Sequence, residues 1–265
     1  MTSQRIDFNR LGNTRDLGGM RTMDGRTIKA GRLFRSAQLV TADESDKAKL
    51  ADMIELIIDF RNDVEARQVP DPAMPGVVYM HNPILKDLTP GISREKNSSE
   101  DLVRDLAFNP EGAKAYMINV YPRLTTEPFA VSQYARFIDT LLIEHKKGIL
   151  WHCSAGKDRA GFATMIVQRL LGVDEDSVME DYLLTNTFMA SEMEGLISKA
   201  EAKMGGARSD AMRESFGYLF GAKPEFLEAL DEKIRLEYGG FDSFVRDGLG
   251  VDQAKRDRLR ELYLH

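Results

Sequence analysis

The chain has one cysteine and four histidines in 265 residues. A lone thiol cannot close an intramolecular disulfide, and the scattered histidines lack the spacing of a zinc finger. These scarcities point to a reducing compartment without a metal finger; neither a metal nor a cofactor is expected. Long apolar runs are missing too, since no stretch approaches the roughly 18 uninterrupted apolar residues of a membrane helix. The opening segment, MTSQRIDFNRLGNTRDLGG, mixes charge and polarity where a secretory signal needs an apolar run. The expectation is a cytoplasmic protein that is not embedded in a membrane. Basic residues are in the minority, 36 Lys and Arg against 42 Asp and Glu for a net charge of −6. That balance lacks the electrostatic footprint of a nucleic-acid partner, so any anionic substrate must be met by a local basic pocket.

What remains is an ordinary globular composition, 43% hydrophobic and 29% charged. No repeat, low-complexity tract or linker divides it, so residues 1–265 read as one domain. Glycines and Asp24-Gly25 between short apolar groups predict turns and a small hairpin over 13–36, leading into a strand at 33–35. Thr41 is placed to cap a helix reaching Met53, and the β-branched run LIIDF (56–60) predicts a buried strand. A further strand is expected within 77–84. Residues 86–128 loosen into a polar stretch and then an amphipathic one, which suggests a lid-like insertion. Within it, Tyr116, Met117 and Tyr121 read as a packing stripe. FAVSQYARFIDTLLIEH (129–145) has helical periodicity, and ILWHC (149–153) is another strand. An amphipathic helix follows at 158–171, stopped by Gly172, and 173–265 is mostly helical with breaks at Gly205-Gly206, Lys223-Pro224 and Gly239-Gly240. The alternation predicts an α/β fold, with a central, largely parallel sheet flanked by helices on both faces.

The decisive stretch is HCSAGKDR, residues 152–159. It joins the strongest strand to the helix at 158–171, and a five-residue loop at a helix N-terminus gathers backbone N–H groups around one point. The helix dipole adds positive potential there, so Ser154, Ala155, Gly156, Lys157 and Asp158 form an anion cradle. Arg159 closes it, because a planar guanidinium binds two oxygens of a phosphate dianion. The same field favours a thiolate at Cys153, a nucleophile able to attack phosphorus in line and form a cysteinyl-phosphate that water then hydrolyses. Lys157 adds a second positive group, and His152 is expected to orient the loop by hydrogen bonding. Arg15, Asp16, Asp59 and Arg61 lie at predicted strand ends, the edge where α/β proteins bind ligands, and are candidates to brace the loop from behind.

HCSAGKDR resembles the HCxxxxxR signature of the protein tyrosine phosphatase superfamily, and more closely the HCxAGKDR loop of bacterial tyrosine and lipid phosphatases. NTRDLGG (13–19), GRLFRS (31–36), IDFRNDVE (58–65), DYLLTN (181–186) and the segment from PEFLEALDEK to VRDGLGV (224–251) are similar to that family in its order. The resemblance implies Cys153 as nucleophile, Arg159 as phosphate clamp and residues 154–158 as phosphate-binding loop. It further implies phosphorylated protein or peptide substrates, with phosphoinositide head groups as another class. Many members carry Ser or Thr directly after the arginine, where this chain has Ala160. That departure leaves open a phosphate-trapping pseudophosphatase. A rhodanese-like sulfurtransferase is a further alternative with one loop cysteine, though it fits the flanking charges less well. No upstream tripeptide supplies a general acid, and two aspartates compete for the role: Asp87, after the strand at 77–84, and Asp158, inside the loop.

Overall fold

The structure, a computed structural model, describes residues 3–87, 89, 91–92, 100–203 and 209–265. The strands β1 (Gln4–Arg5), β2 (Arg15–Asp16), β3 (Leu33–Ser36), β4 (Ile54–Asp59), β5 (Val78–His81) and β6 (Gly148–His152) form one sheet in the order β1-β2-β3-β6-β4-β5. The four strands from β3 to β5 in that order run parallel. The expected hairpin region supplies the antiparallel edge: Arg15 and Asp16 pair with Arg35 and Phe34, and Arg21 bridges Thr27.

Period-two alternation along the strands sorts their side chains between two layers. Leu33, Leu56, Ile58, Ile149 and Trp151 enter the large core. Their neighbours Phe34, Ile57 and Leu150 enter a smaller one on the opposite face, closed by Leu50 of helix Glu44–Met53. Asp43 caps this helix, accepting from the Asp46 N–H at 2.9 Å. Thr41, the sequence-based candidate, instead donates to the Arg10 carbonyl. The shorter Asx side chain next to the first turn reaches the amide that the hydroxyl two residues earlier does not.

Helix Arg159–Leu171 follows β6 and ends at Gly172, whose φ of 95° is the left-handed helix end expected there. It is not amphipathic in its setting, because every residue except Arg169 is buried. The sheet lies on one side of it and helices Glu175–Phe188 and Gln253–Tyr263 on others. Of the segment 86–128, expected as a lid-like insertion, residues 88, 90 and 93–99 lie outside the described residues. Helix Pro110–Val120 and the residues after it bury Ala113, Met117, Tyr121 and Leu124 in the main core. The C-terminal region is helical as expected. Lys223-Pro224 starts helix Pro224–Tyr238 and Gly239 ends it with φ 83°, while Gly205-Gly206 lies outside the described residues. Among the described residues no helix is long and apolar enough to cross a membrane.

Candidate active site

Strand β6 delivers Cys153 to the C-terminal edge of the sheet, and residues 153–158 turn there into helix Arg159–Leu171. At Gly156 the φ is +67°, and a Cβ would stand 2.4 Å from the Ser36 carbonyl oxygen. Both the left-handed backbone and the close approach to β3 require glycine. Four consecutive loop carbonyls accept hydrogen bonds from donors around the loop. His152 Nδ1 meets the Cys153 carbonyl at 3.2 Å and the Gln38 N–H meets that of Ser154 at 3.2 Å. Asn13 Nδ2 reaches Ala155 at 2.9 Å and Arg35 Nη2 reaches Gly156 at 2.7 Å. In a trans peptide the C=O and the following N–H point opposite ways, so pinning these carbonyls outward turns the N–H groups of residues 154–157 inward.

Arg159 is fully buried and its guanidinium is held in a fork with Glu65. Nη2 donates to Glu65 Oε1 at 2.8 Å, Nη1 donates to Oε2, and Nη2 also reaches the Ile92 carbonyl at 2.9 Å. Nε is buried with no partner among the described residues, which leaves one charge-assisted donor for an anion. Glu65 occupies the third position of helix Asp63–Gln68 and completes a capping box with Asn62. It also accepts from the Ser154 hydroxyl. Burial pushes its pKa up, but Arg159, Ser154 and the Asn62 N–H outweigh burial and hold it below the ordinary carboxylate value.

Behind the loop, Asp181 of helix Glu175–Phe188 gathers two buried arginines, Arg35 Nη1 at 2.9 Å and Arg15 Nε at 3.2 Å. Arg15 also donates to the Asn13 side chain, the same Asn13 that pins Ala155. Arg15 thus braces the loop through one intermediary and Arg35 does so directly. Asp16 does not take part, since its carboxylate accepts from the Gly18 and Gly31 amides at 2.8 and 2.7 Å. Alternation on β2 turns the two neighbours to opposite sides.

His152 is fully buried, with Nε2 2.8 Å from Asp71 Oδ2 and 3.8 Å from Asp59 Oδ1. Burial disfavours its charged form, yet the two carboxylates prevail and raise its pKa. Both ring nitrogens face oxygens, which suits an imidazolium with two donors. Asp59, Asp71 and His152 have ligand atoms within 4.8 Å of one another, a metal-like grouping. Arg61 already supplies the cation, at 2.8 Å from Asp59 and 3.1 Å from Asp71.

The two candidate acids have unlike settings. Asp87 is exposed, beyond the end of β5. Asp158 is 1% exposed and accepts through Oδ1 from the Tyr121 hydroxyl. Lys157 does not present its ammonium as a second phosphate clamp. It donates to the Leu219 and Gly221 carbonyls at 3.2 and 3.1 Å and lies 3.2 Å from Asp158 Oδ1. A flexible lysine buried beside a helix end satisfies carbonyls first. Asn13, Arg35, Glu65 and Asp181 lie in the family-like segments but carry no role in the sequence reading, Tyr121 reads there as packing, and Asp71 is absent from it. Arg35 carried a signal, a charge inside the apolar strand LFRS that needs a buried partner.

The buried carboxylates set an acid limit on stability. Glu65, Asp181 and Asp59 all sit below their ordinary values, so the stability they add is complete above about pH 4 and is lost as pH falls through their folded values. His152, with its raised value, has the opposite sign, and its contribution fades as pH rises through that value. Urea denaturation across pH should therefore show no loss of stability between neutrality and about pH 5, then a steep fall below about pH 4. A steady decline from pH 7 downward would contradict this.

The profile of the tyrosine phosphatase family matches residues 6–265. A Cupriavidus necator protein that carries a tyrosine-protein phosphatase name is 30% identical over 267 residues, covering 98% of this chain and 88% of its own. The triple specificity protein phosphatase PtpB of Mycobacterium tuberculosis is 27% identical over 273 residues, covering 95% and 96% respectively. A tyrosine-protein phosphatase of Nostoc commune is 22% identical, covering 88% of this chain and 74% of its own.

Proposed function

The chain belongs to the tyrosine phosphatase family, and from that premise we propose that it hydrolyses phosphomonoesters through a cysteinyl-phosphate formed on Cys153. The observation that carries this reading is the outward pinning of four consecutive loop carbonyls, which turns the loop amides toward one point beside Cys153 and Arg159 Nε, which has no partner among the described residues. A phosphate dianion placed there meets amide dipoles, the helix N-terminus and a guanidinium that Glu65 already holds in position. The Cys153 sulfur attacks phosphorus, the P–O bond to the leaving group breaks, and the departing oxygen takes a proton. Water then attacks phosphorus, breaks the S–P bond and releases inorganic phosphate and the Cys153 thiolate. Ser154, Ala155, Gly156 and Lys157 contribute backbone, and His152 holds the loop by its Cys153 bond.

Asp158 is the better candidate for the leaving-group proton, because it lies within the loop whereas Asp87 is exposed past β5. In the second step the same carboxylate would take a proton from water. Phosphotyrosine is the first substrate class. The triple specificity of the Mycobacterium tuberculosis relative supports a panel extended to phosphoserine, phosphothreonine and phosphoinositides. A phosphoinositide would use Lys157 only after releasing it from Leu219 and Gly221.

Rapid-quench hydrolysis of p-nitrophenyl phosphate in the presence of a chelator tests the reading. Steady turnover with a phosphoenzyme burst is expected. A stoichiometric burst followed by silence would point to Ala160 and a phosphate trap, and absence of both would overturn the proposal. Arg159→Lys should lower kcat/KM by about a hundredfold or more, because an ammonium cannot keep both the Glu65 fork and the Nε donor. Full activity in that variant would remove Arg159 from the site.

A further inference from the structure

We infer that Tyr121, backed by Tyr182, is a positioning residue that holds Asp158 for proton transfer; this rests on the reading of Asp158 as the acid. Tyr121 lies directly after helix Pro110–Val120, far from the loop in sequence, and its phenol is fully buried. Its hydroxyl donates to Asp158 Oδ1. Tyr182, from helix Glu175–Phe188, stands 2.7 Å from the Tyr121 oxygen. The Tyr121 hydroxyl already points its proton at Asp158 Oδ1, so Tyr182 is the donor in that pair. The result is a directed relay, Tyr182 to Tyr121 to Asp158, with every hydroxyl buried.

A second observation shows that Asp158 is held against its local preference. It occupies the N-cap of helix Arg159–Leu171, where an aspartate ordinarily accepts from the N–H groups of the first turn, yet it makes no such bond. Tyr121 and Lys157 take Oδ1 instead, the ammonium at 3.2 Å. With two donors facing Oδ1, a proton carried by Asp158 must sit on Oδ2. Tyr121 thus fixes both the rotamer and the oxygen that acts as the acid. Tyr121 does not serve as the acid itself, since burial and the oxygens of Asp158 and Tyr182 push its pKa well above the ordinary phenol value. The other ionisable groups acting on Asp158 are Arg159, Tyr134 and Tyr182, and they are present in every variant below that leaves them intact.

Tyr121→Phe keeps the ring, whose centroid lies 4.8 Å from that of Phe226, and removes the hydroxyl that donates to Asp158 and accepts from Tyr182. Phenyl phosphate has a poor leaving group that needs the acid, and p-nitrophenyl phosphate a good one that needs it little. The ratio of kcat/KM on phenyl phosphate to kcat/KM on p-nitrophenyl phosphate should fall about tenfold in Tyr121→Phe, a part of the hundredfold or larger effect of losing a general acid. In an Asp158→Asn background the same substitution should leave the ratio where Asp158→Asn alone puts it. An unchanged ratio in Tyr121→Phe overturns the inference, and so does an equal fall in both backgrounds, which is the mark of a purely structural role. If Asp158→Asn itself leaves the ratio unchanged while Cys153→Ser is inactive, the assignment of the acid fails and the nucleophile stands. Should Tyr121→Phe not fold, Tyr182→Phe carries the same cycle with an expected fall of about threefold.

Discussion

Cys153→Ser is expected to lower hydrolysis of p-nitrophenyl phosphate by more than about ten-thousandfold while leaving phosphate bound. A serine hydroxyl in this loop has the shape of the thiol without its readiness to ionise, and no imidazole takes its proton: His152 points both nitrogens elsewhere, to the Cys153 carbonyl and to Asp71. The anion-binding parts are untouched by the change. The loop amides stay turned inward by Asn13, Arg35, His152 and Gln38, and Arg159 stays in its Glu65 fork. Loss of turnover and retention of phosphate therefore separate, and isothermal titration with phosphate or vanadate beside the kinetic assay reads both. Residual activity within a factor of about ten of wild type would mean that another group attacks phosphorus, and the cysteinyl-phosphate would have to be given up.

The second large effect concerns stability. Asp181→Ala removes the shared partner of Arg15 and Arg35, which are 0% and 1% exposed. Two guanidinium charges then remain in the interior with their hydration gone, and breaking a buried pair in this way costs about 3–5 kcal/mol. For a chain of this size that amounts to a fall of roughly 10 °C in Tm. The damage should reach the loop, because Arg35 also holds the Gly156 carbonyl. Asp181→Asn keeps an acceptor for one arginine and should fall between wild type and Asp181→Ala. A Tm within about 2 °C of wild type for Asp181→Ala would mean that water or a rearranged acid takes over both arginines.

How much of this site could be read in the chain depends on how local each contact is. Cys153, Arg159 and the loop between them are contiguous, and the strand ILWHC and the Gly172 stop flank them, so pattern and spacing found them together. Glu65 ends the family-like segment IDFRNDVE and can be read as the far end of a capping box, but its bond to Arg159 joins residues 94 apart in sequence. Asp181 meets Arg35 across 146 positions, and no periodicity encodes such a pairing. Tyr121 shows the limit from the other side: a helical aromatic stripe is usually packing, and Tyr121 does pack on Phe226, but its hydroxyl reaches the loop. The helix at 159–171 reads as one-sided because its large apolar residues cluster, while the small Ala160, Gly161 and Ala163 are buried as well, Gly161 close to Arg35 and Tyr182. Small residues carry little hydrophobic signal and allow the closest packing.

The carbonyls of Ile92, Leu219 and Gly221 lie on the charged side chains of the loop, and Cys153 and Arg159 are both 0% exposed. Because Cys153 has no exposed surface, a phosphoryl group reaches the sulfur only in conformers more open than this one. The apparent dissociation constant is then the intrinsic one divided by the fraction of such conformers: if they make up about one molecule in a hundred, binding is weakened a hundredfold. The same burial excludes water from a nucleophile that would otherwise be solvated. Affinity and reactivity are in this way set against each other by one gating equilibrium, and changes at the periphery that favour the opened form would tighten binding without altering any group that touches phosphate.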